Sequence, residues 1–231
     1  MIDNEKTTTG LFQLIEKPVD LAIVDYGMGN RRSVEKAFEH IGANVTITSE
    51  HERLRAAAGL VLPGVGAFPR GMFNLRELGL DVLLRERLAA GTPVLGICLG
   101  MQLAFDRTTE LGGAEGLGVI PGGVTVLDHG SLKLPHIGWN EVTLRANSPL
   151  TEGLPERCAF YHVHSFAPVP ANEEDVIGTS VYNVPFASIV ARGSFYGVQF
   201  HPEKSSSAGL RLLANFARIC SSSAVPLAAS S

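Results

Sequence analysis

The 231 residues carry 45% hydrophobic and 18% charged side chains, enough apolar material for one well-packed domain and little for two. A formal charge of −4, with no block of like charges, excludes a general attraction to nucleic acid or to an acidic membrane surface. Apolar runs such as 82–84 and 93–98 fall far short of the ~20 residues of a bilayer span, and a start containing Asp3, Glu5, Lys6 and three threonines has no apolar signal core, which points to a cytoplasmic protein.

From Leu21 the chain alternates short β-branched runs with helical stretches, the pattern of an α/β sheet with crossover helices. Strands are predicted at 21–25, 45–48, 60–62 and 93–97. Helices are predicted at 32–41, 50–58 and 72–90, the first carrying Val34, Ala37, Phe38 and Ile41 on one face, with Gly42 and Gly91 as stops. A fourth helix is expected over 99–107. Beyond it the texture becomes Gly-rich, with strands predicted at 124–127, 141–144, 158–163, 176–182, 186–191 and 196–200 and a closing helix at 210–219. The fold class that follows is α/β, a central, mostly parallel sheet flanked by helices, with antiparallel β additions in the C-terminal half. Residues 1–18 and 221–231 lack periodicity and are expected to be tails around a domain at 19–220.

The three cysteines, Cys98, Cys158 and Cys220, are odd in number and widely spaced, which suits neither a disulfide framework nor a zinc site. Cys98 differs from the other two in its setting. It ends an apolar strand, precedes a helix and lies between Gly96 and Gly100, the cysteine counterpart of the G-x-S-x-G nucleophile elbow. A helix N-terminus there favours the thiolate. A cysteine in an apolar stretch is more often a small buried hydrophobe, and the two glycines at this spacing reverse that reading. A base is available in Phe200-His201-Pro202-Glu203: His201 and Glu203 are two positions apart, so extended backbone would send both side chains to one side. A carboxylate beside an imidazole fixes its tautomer and stabilises imidazolium. His162 and His164 form another i, i+2 pair, but no further ligand at metal spacing accompanies them, so neither metal nor cofactor is expected.

Gly96 to Gln102 (GICLGMQ) and Gln199 to Lys204 (QFHPEK) resemble the class I, triad-type glutamine amidotransferases. Asp25 to Asn30 (DYGMGN), Pro63 to Phe68 (PGVGAF) and Lys133 to Asn140 (KLPHIGWN) are similar to one branch of that family, the glutaminase subunits of imidazole glycerol phosphate synthases. The resemblance implies glutamine hydrolysis to glutamate and ammonia through a thioester, with Cys98 as nucleophile, His201 as proton carrier and Glu203 as its support. It implies an oxyanion hole from the amides of Leu99 and Val65, the latter in a loop whose Gly64 and Gly66 permit two peptide orientations. Gly64, Gly66, Gln102, His164, Ser165 and Phe166 are the implied glutamine-binding residues. The family carries Tyr where Phe166 stands, so contacts there would run through the main chain.

The resemblance further implies a partner, a separate (β/α)8 barrel cyclase subunit that takes the ammonia in histidine biosynthesis, with Met28, Asn30, Ile137, Trp139, Asn140 and Lys204 facing it. From the residues alone Trp139 reads as core packing, the commoner fate of a lone Trp, and the Pro and Gly of 135–140 argue against a regular central strand there. Gly27 to Asn30 is a weak match to a dinucleotide loop, because the third glycine of that motif is Arg32. Two other functions stay open: an amidotransferase serving another acceptor, as in sugar amination, and a noncatalytic regulatory subunit on the same fold. A pyridoxal-phosphate-type glutaminase fits less well, since its oxyanion region reads Gly-Gly-Glu where this chain has Pro63 to Gly66.

Overall fold

The computed structural model describes Ile15 and residues 17–223. Its first half runs β1 (Asp20–Val24), α1 (Arg31–His40), β2 (Asn44–Thr48), α2 (His51–Ala56), β3 (Gly59–Gly64), α3 (Phe68–Glu77), α4 (Leu80–Ala89), β4 (Val94–Cys98) and α5 (Leu99–Gln102). The second half holds β5 (Phe105–Thr108), β6 (Ala114–Glu115), β7 (Ile120–Val126), β8 (His136–Leu144), β9 (Arg157–His164), β10 (Phe166–Pro170), β11 (Val176–Tyr182), β12 (Val184–Arg192), β13 (Phe195–Val198) and α6 (Ser206–Ser223).

Among the described residues, nine strands make one sheet in the order β2-β1-β3-β4-β13-β12-β11-β8-β9, and four make a second, β10-β7-β5-β6. In the large sheet β2, β1, β3, β4 and β13 pair in parallel, and the remaining pairings out to β9 are antiparallel. The antiparallel part is thus as wide as the parallel part, more than a fringe of added strands. Alternation along each inner strand feeds two cores. Leu21, Ile23, Val61 and Ile97 pack with α1 and α6, whereas Ala22, Val24, Leu60 and Leu62 pack with α2 to α5 and with Phe105, Ile120 and Val124 of the small sheet.

Several elements differ from expectation for local reasons. The helix predicted over 72–90 is two, because Gly79 takes a left-handed φ of 64° and ends one before starting the other; the first begins early, at Phe68, with Pro69 in its opening turn. The helix predicted over 99–107 stops at Gln102. The amides of Gly116, Leu117 and Val119 bond the carbonyls of Asp106, Leu103 and Ala104, and Phe105 to Thr108 are drawn into the small sheet beside β7. Residues 136–140, where Pro135 and Gly138 argued against a strand, belong to β8 and pair in full register with β9. Along that stretch β8 lacks a second neighbour, since β11 meets it only at Thr143 and Leu144.

Both predicted tail boundaries shift. Ile15 is 3% exposed in the core under α1 and α6, which anchors the N-terminal segment at that point, and α6 continues past 220 to Ser223. The remainder of both tails, 1–14, 16 and 224–231, lies outside the described residues. No helix among the described residues is long and apolar enough to cross a membrane.

Candidate active site

The parallel half of the sheet brings the chemistry together. Register pairs Gly64 of β3 with Cys98 of β4, and Ile97 of β4 with Val198 of β13, so the three strand ends emerge side by side. β13 is last in sequence yet central in space. Just beyond it, Gln199 N–H bonds Ser188 O at 2.9 Å and His201 N–H bonds Tyr161 O at 2.8 Å, which hold the base over the end of β4.

Cys98 sits at the turn into α5 with φ 54° and ψ −107°, a conformation costly for a side-chain-bearing residue. Its neighbours show why glycines flank it. A Cβ on Gly96 would lie 2.7 Å from the Gly100 carbonyl carbon, and one on Gly100 would run into the Leu62 carbonyl oxygen. The sulfur is 3.8 Å from Val163 O and 3.7 Å from Gln199 Nε2, with the residue 6% exposed.

His201 Nδ1 is 2.9 Å from Glu203 Oε1, and the Cys98 sulfur is close enough to favour its charged form. The backbone between them is a tight 3-10 turn over Pro202–Lys204, so the shared direction of the two side chains comes from that turn and not from an extended strand. The imidazole and the Glu203 side chain are 1% and 0% exposed. Burial works against an imidazolium here; the Cys98 sulfur and the Glu203 carboxylate outweigh it and push His201 up to about 9. The carboxylate has a second partner, the Asn30 amide, whose Nδ2 donates to Glu203 Oε1 at 2.6 Å. Asn30 holds a left-handed φ of 75° at the end of a loop braced by the Arg31–Asp25 ion pair.

In front of the sulfur is a pocket of about 260 Å³ lined by Val65, Gly66, Cys98, Leu99, Gln102, Glu110, Val163, His164, Ser165 and Phe166. Its size suits a small polar metabolite. Gln102 is buried, its amide donating to Phe166 O and to Gln199 Oε1, each at 3.0 Å. Larger hollows of about 610 and 1000 Å³ lie elsewhere, one between the β7–β10 and β11–β12 strand pairs and one around 144–156, and neither reaches Cys98.

Of the predicted glutamine-binding residues, Gly66, Gln102, His164, Ser165 and Phe166 line this pocket and Gly64 does not: it is buried in β3 against Tyr26 and Leu99. Of the predicted partner-facing residues, Ile137 and Trp139 are 59% and 56% exposed and Lys204 is exposed, its ammonium over the Tyr161 ring at 5.9 Å. Asn140 is half-buried, bonded to Val181 O and His136. Met28 departs from expectation: it is 8% exposed, its sulfur 3.7 Å from Asn74 Nδ2, because the loop turns that side chain inward under Gly66.

No local pattern marks Glu110, which follows the stretch expected to be helical. Its Oε2 accepts from the Phe68 amide at 2.7 Å while the residue lines the pocket. Nor does one mark a buried histidine cluster behind the pocket wall. His164 Nδ1–H donates to Phe166 O at 2.9 Å, which leaves Nε2 to accept from His136 Nδ1–H at 3.0 Å, and Asn140 Nδ2 donates to His136 Nε2 at 3.3 Å. His162 bonds Phe160 O and Ser188 Oγ. Burial pushes all three imidazoles down, His162 to about 2 and His164 to about 4. No group of three or more His, Cys, Asp or Glu among the described residues is placed to hold a metal.

Residues 22–220 match the family described as glutamine amidotransferase class-I. A protein of Moorella thermoacetica named imidazole glycerol phosphate synthase subunit HisH is 47% identical over 86% of this chain and 94% of its own length. Proteins of the same name from Bacillus cereus and Pseudomonas savastanoi are 48% and 47% identical, each over 85% of this chain and over 93% and 96% of their own lengths. Among solved structures, PurLQS from Thermotoga maritima superposes with a TM-score of 0.70 at 17% identity, over 87% of this chain and 98% of that one. A glutamine amidotransferase from Thermotoga maritima superposes with a TM-score of 0.61 at 18% identity, over 84% and 80%. These two likenesses speak to the fold.

Proposed function

Because this chain belongs to the class-I glutamine amidotransferase family, and within it to the HisH subunits of imidazole glycerol phosphate synthase, we propose that Cys98, His201 and Glu203 are the groups with which it hydrolyses glutamine. The observation that carries this is the meeting, at adjacent strand ends, of a strained, pocket-facing sulfur and a buried imidazole paired with a buried carboxylate.

Cys98 thiolate attacks the carboxamide carbon of glutamine. His201, charged while it faces the thiolate, gives its Nε2 proton to the departing ammonia and then takes one from the water that hydrolyses the thioester. Glu203 keeps Nδ1 protonated, so the reacting nitrogen is always Nε2. Negative charge gathers on the amide oxygen in each tetrahedral intermediate. The Leu99 amide, first in α5 and next to the nucleophile, is one donor for it, and the Val65 amide in the 63–66 loop is the second. Loss of one such donor costs about 2.7 to 4 kcal/mol in acyl transfer. Gln102 and the main chain of His164 to Phe166 hold the amino-acid end, and the Glu110 carboxylate on the same wall accepts its α-ammonium group.

Ammonia freed into neutral water becomes ammonium, which is no nucleophile, so the product goes directly to an acceptor site on a (β/α)8 barrel cyclase subunit. Exposed Ile137 and Trp139, beside Lys204 and the triad-bound Asn30, offer that partner an apolar anchor next to the site. Copurification with such a subunit, followed by glutamine turnover with and without its ribonucleotide substrate, tests the reading. Turnover should be low for the chain alone and rise in the loaded complex, as the Val65 amide turns inward. Equal turnover in every condition sinks the gating, and failure of a glutamine-like electrophile to label Cys98 sinks the mechanism.

A further inference from the structure

The loop joining β1 to α1 contains a polar atom that the steps above do not use. Tyr26 is 1% exposed, and its hydroxyl is one of four buried side-chain polar atoms among the described residues that have no hydrogen-bond partner. Such atoms are rare, since a hydroxyl that leaves water without a replacement partner destabilises the fold. Tyr26 nevertheless carries one, where Phe would fill the same space.

Its position is specific. A Cβ on Gly64 would run into the Tyr26 hydroxyl oxygen, and the same point is 3.2 Å from Leu99 Cδ2. Gly64 is the register partner of Cys98 and the residue before Val65. Burial, and then the nearby Cys98 charge, raise the Tyr26 pKa above its ordinary range, so the phenol stays protonated and can donate.

A suitable acceptor follows from peptide geometry. The Gly64–Val65 peptide is a rigid plane with the Gly64 C=O and the Val65 N–H on opposite edges. When the N–H faces an oxyanion above Cys98, the C=O faces the other way. β3 is buried along its whole length up to Gly64, so a carbonyl turned into that interior needs a protein donor.

We propose that the Tyr26 hydroxyl is that donor: it receives the Gly64 carbonyl when the Val65 amide faces the oxyanion, which makes Tyr26 a positioning residue for the oxyanion hole. This rests on the reading of Val65 as the second oxyanion donor. The bond exists only in the inward state, so it acts on turnover more than on glutamine binding.

The test is Tyr26→Phe in the copurified, ribonucleotide-loaded complex, with kcat and KM for glutamine measured beside the Tm of the free chain. The expected result is a kcat lower by about tenfold, the worth of one hydrogen bond, with KM within about twofold. Tm should hold or rise, because the variant deletes an unpaired polar atom and keeps the ring. An unchanged kcat overturns the proposal. So does a fall in kcat matched by a fall in Tm, which would make the hydroxyl a packing element. Val65 is checked separately by Val65→Pro, which removes the amide: full turnover in that variant would overturn the parent reading, whereas full turnover in Tyr26→Phe alone overturns only the role of the phenol.

Discussion

Buried histidines near the Cys98 pocket titrate in opposite directions, His162 and His164 downward and His201 upward. His162 and His164 are neutral because burial is the largest influence on them and their neighbours are carbonyls, a hydroxyl and other imidazoles. His201 is buried almost as completely, yet stays charged past neutral pH because the nearby Cys98 sulfur and the Glu203 carboxylate outweigh its burial. Burial alone therefore keeps a histidine neutral, and burial beside a carboxylate and a sulfur keeps it protonated. The same contrast divides the sheet: the parallel half delivers Cys98 and His201 at its strand ends, and the antiparallel half builds the wall behind them.

Removing the sulfur breaks the contrast most severely. Cys98→Ala should abolish turnover, a loss of roughly 10⁴-fold or more, and should lower the His201 pKa from about 9, read from its ring resonances. A pKa that stays put would mean Glu203 alone sustains the charge. Glu203→Gln keeps the shape and removes the second anion; kcat should fall roughly 10²- to 10⁴-fold, since the imidazole loses both its charge support and its fixed tautomer. The stability window moves too. With a folded pKa raised above the unfolded 6.5, His201 contributes stability that is fully present below about 6.5 and lost as pH rises through about 9. Glu203→Gln should shrink that alkaline loss, measured by urea unfolding between pH 6 and 10.

The neutral histidines predict the opposite limb. Below about 6.5 the unfolded chain binds protons that folded His162 and His164 refuse, so stability falls with pH at about 1.4 kcal/mol per unit for each. For His164 the loss reaches about 3 kcal/mol by pH 4. His162→Phe should cost about 1 kcal/mol at pH 7, through the Ser188 bond, and should make the acid limb shallower by one proton. An unchanged slope between pH 6.5 and 5 would show that His162 is already charged in the fold.

The half that carries Cys98 and His201 was the more legible in sequence, and the reason is steric. Gly96 and Gly100 are where the backbone of a neighbouring segment allows no Cβ, so the elbow leaves a fixed imprint at fixed spacing. The wall is made by register between distant strands: His136 faces His164 only because β8 and β9 pair there, and no local pattern encodes that. Phe105 to Arg107 read as helix for the same reason, since their strand state is imposed by β7. Glu110 and Tyr26 owe their places to such pairings as well. Met28 differed for another reason: a residue in an exposed loop can still turn its own side chain inward, here under Gly66.

The finest test separates charge from hydrogen bonding within the charged set. Asn30 gives Glu203 a 2.6 Å bond without carrying charge, from a left-handed backbone that Ala would strain and Gly accepts. Asn30→Gly therefore removes the side chain and leaves the loop its shape. If the Asn30 bond only orients the carboxylate, kcat should fall by about tenfold, while the His201 pKa holds or rises because Glu203 shares less of its charge elsewhere. The two readouts then move apart, whereas in Glu203→Gln they fall together. A His201 pKa that drops in Asn30→Gly would show that the carboxylate has swung away from the ring, and that its position over His201 depends on the loop that β1 feeds.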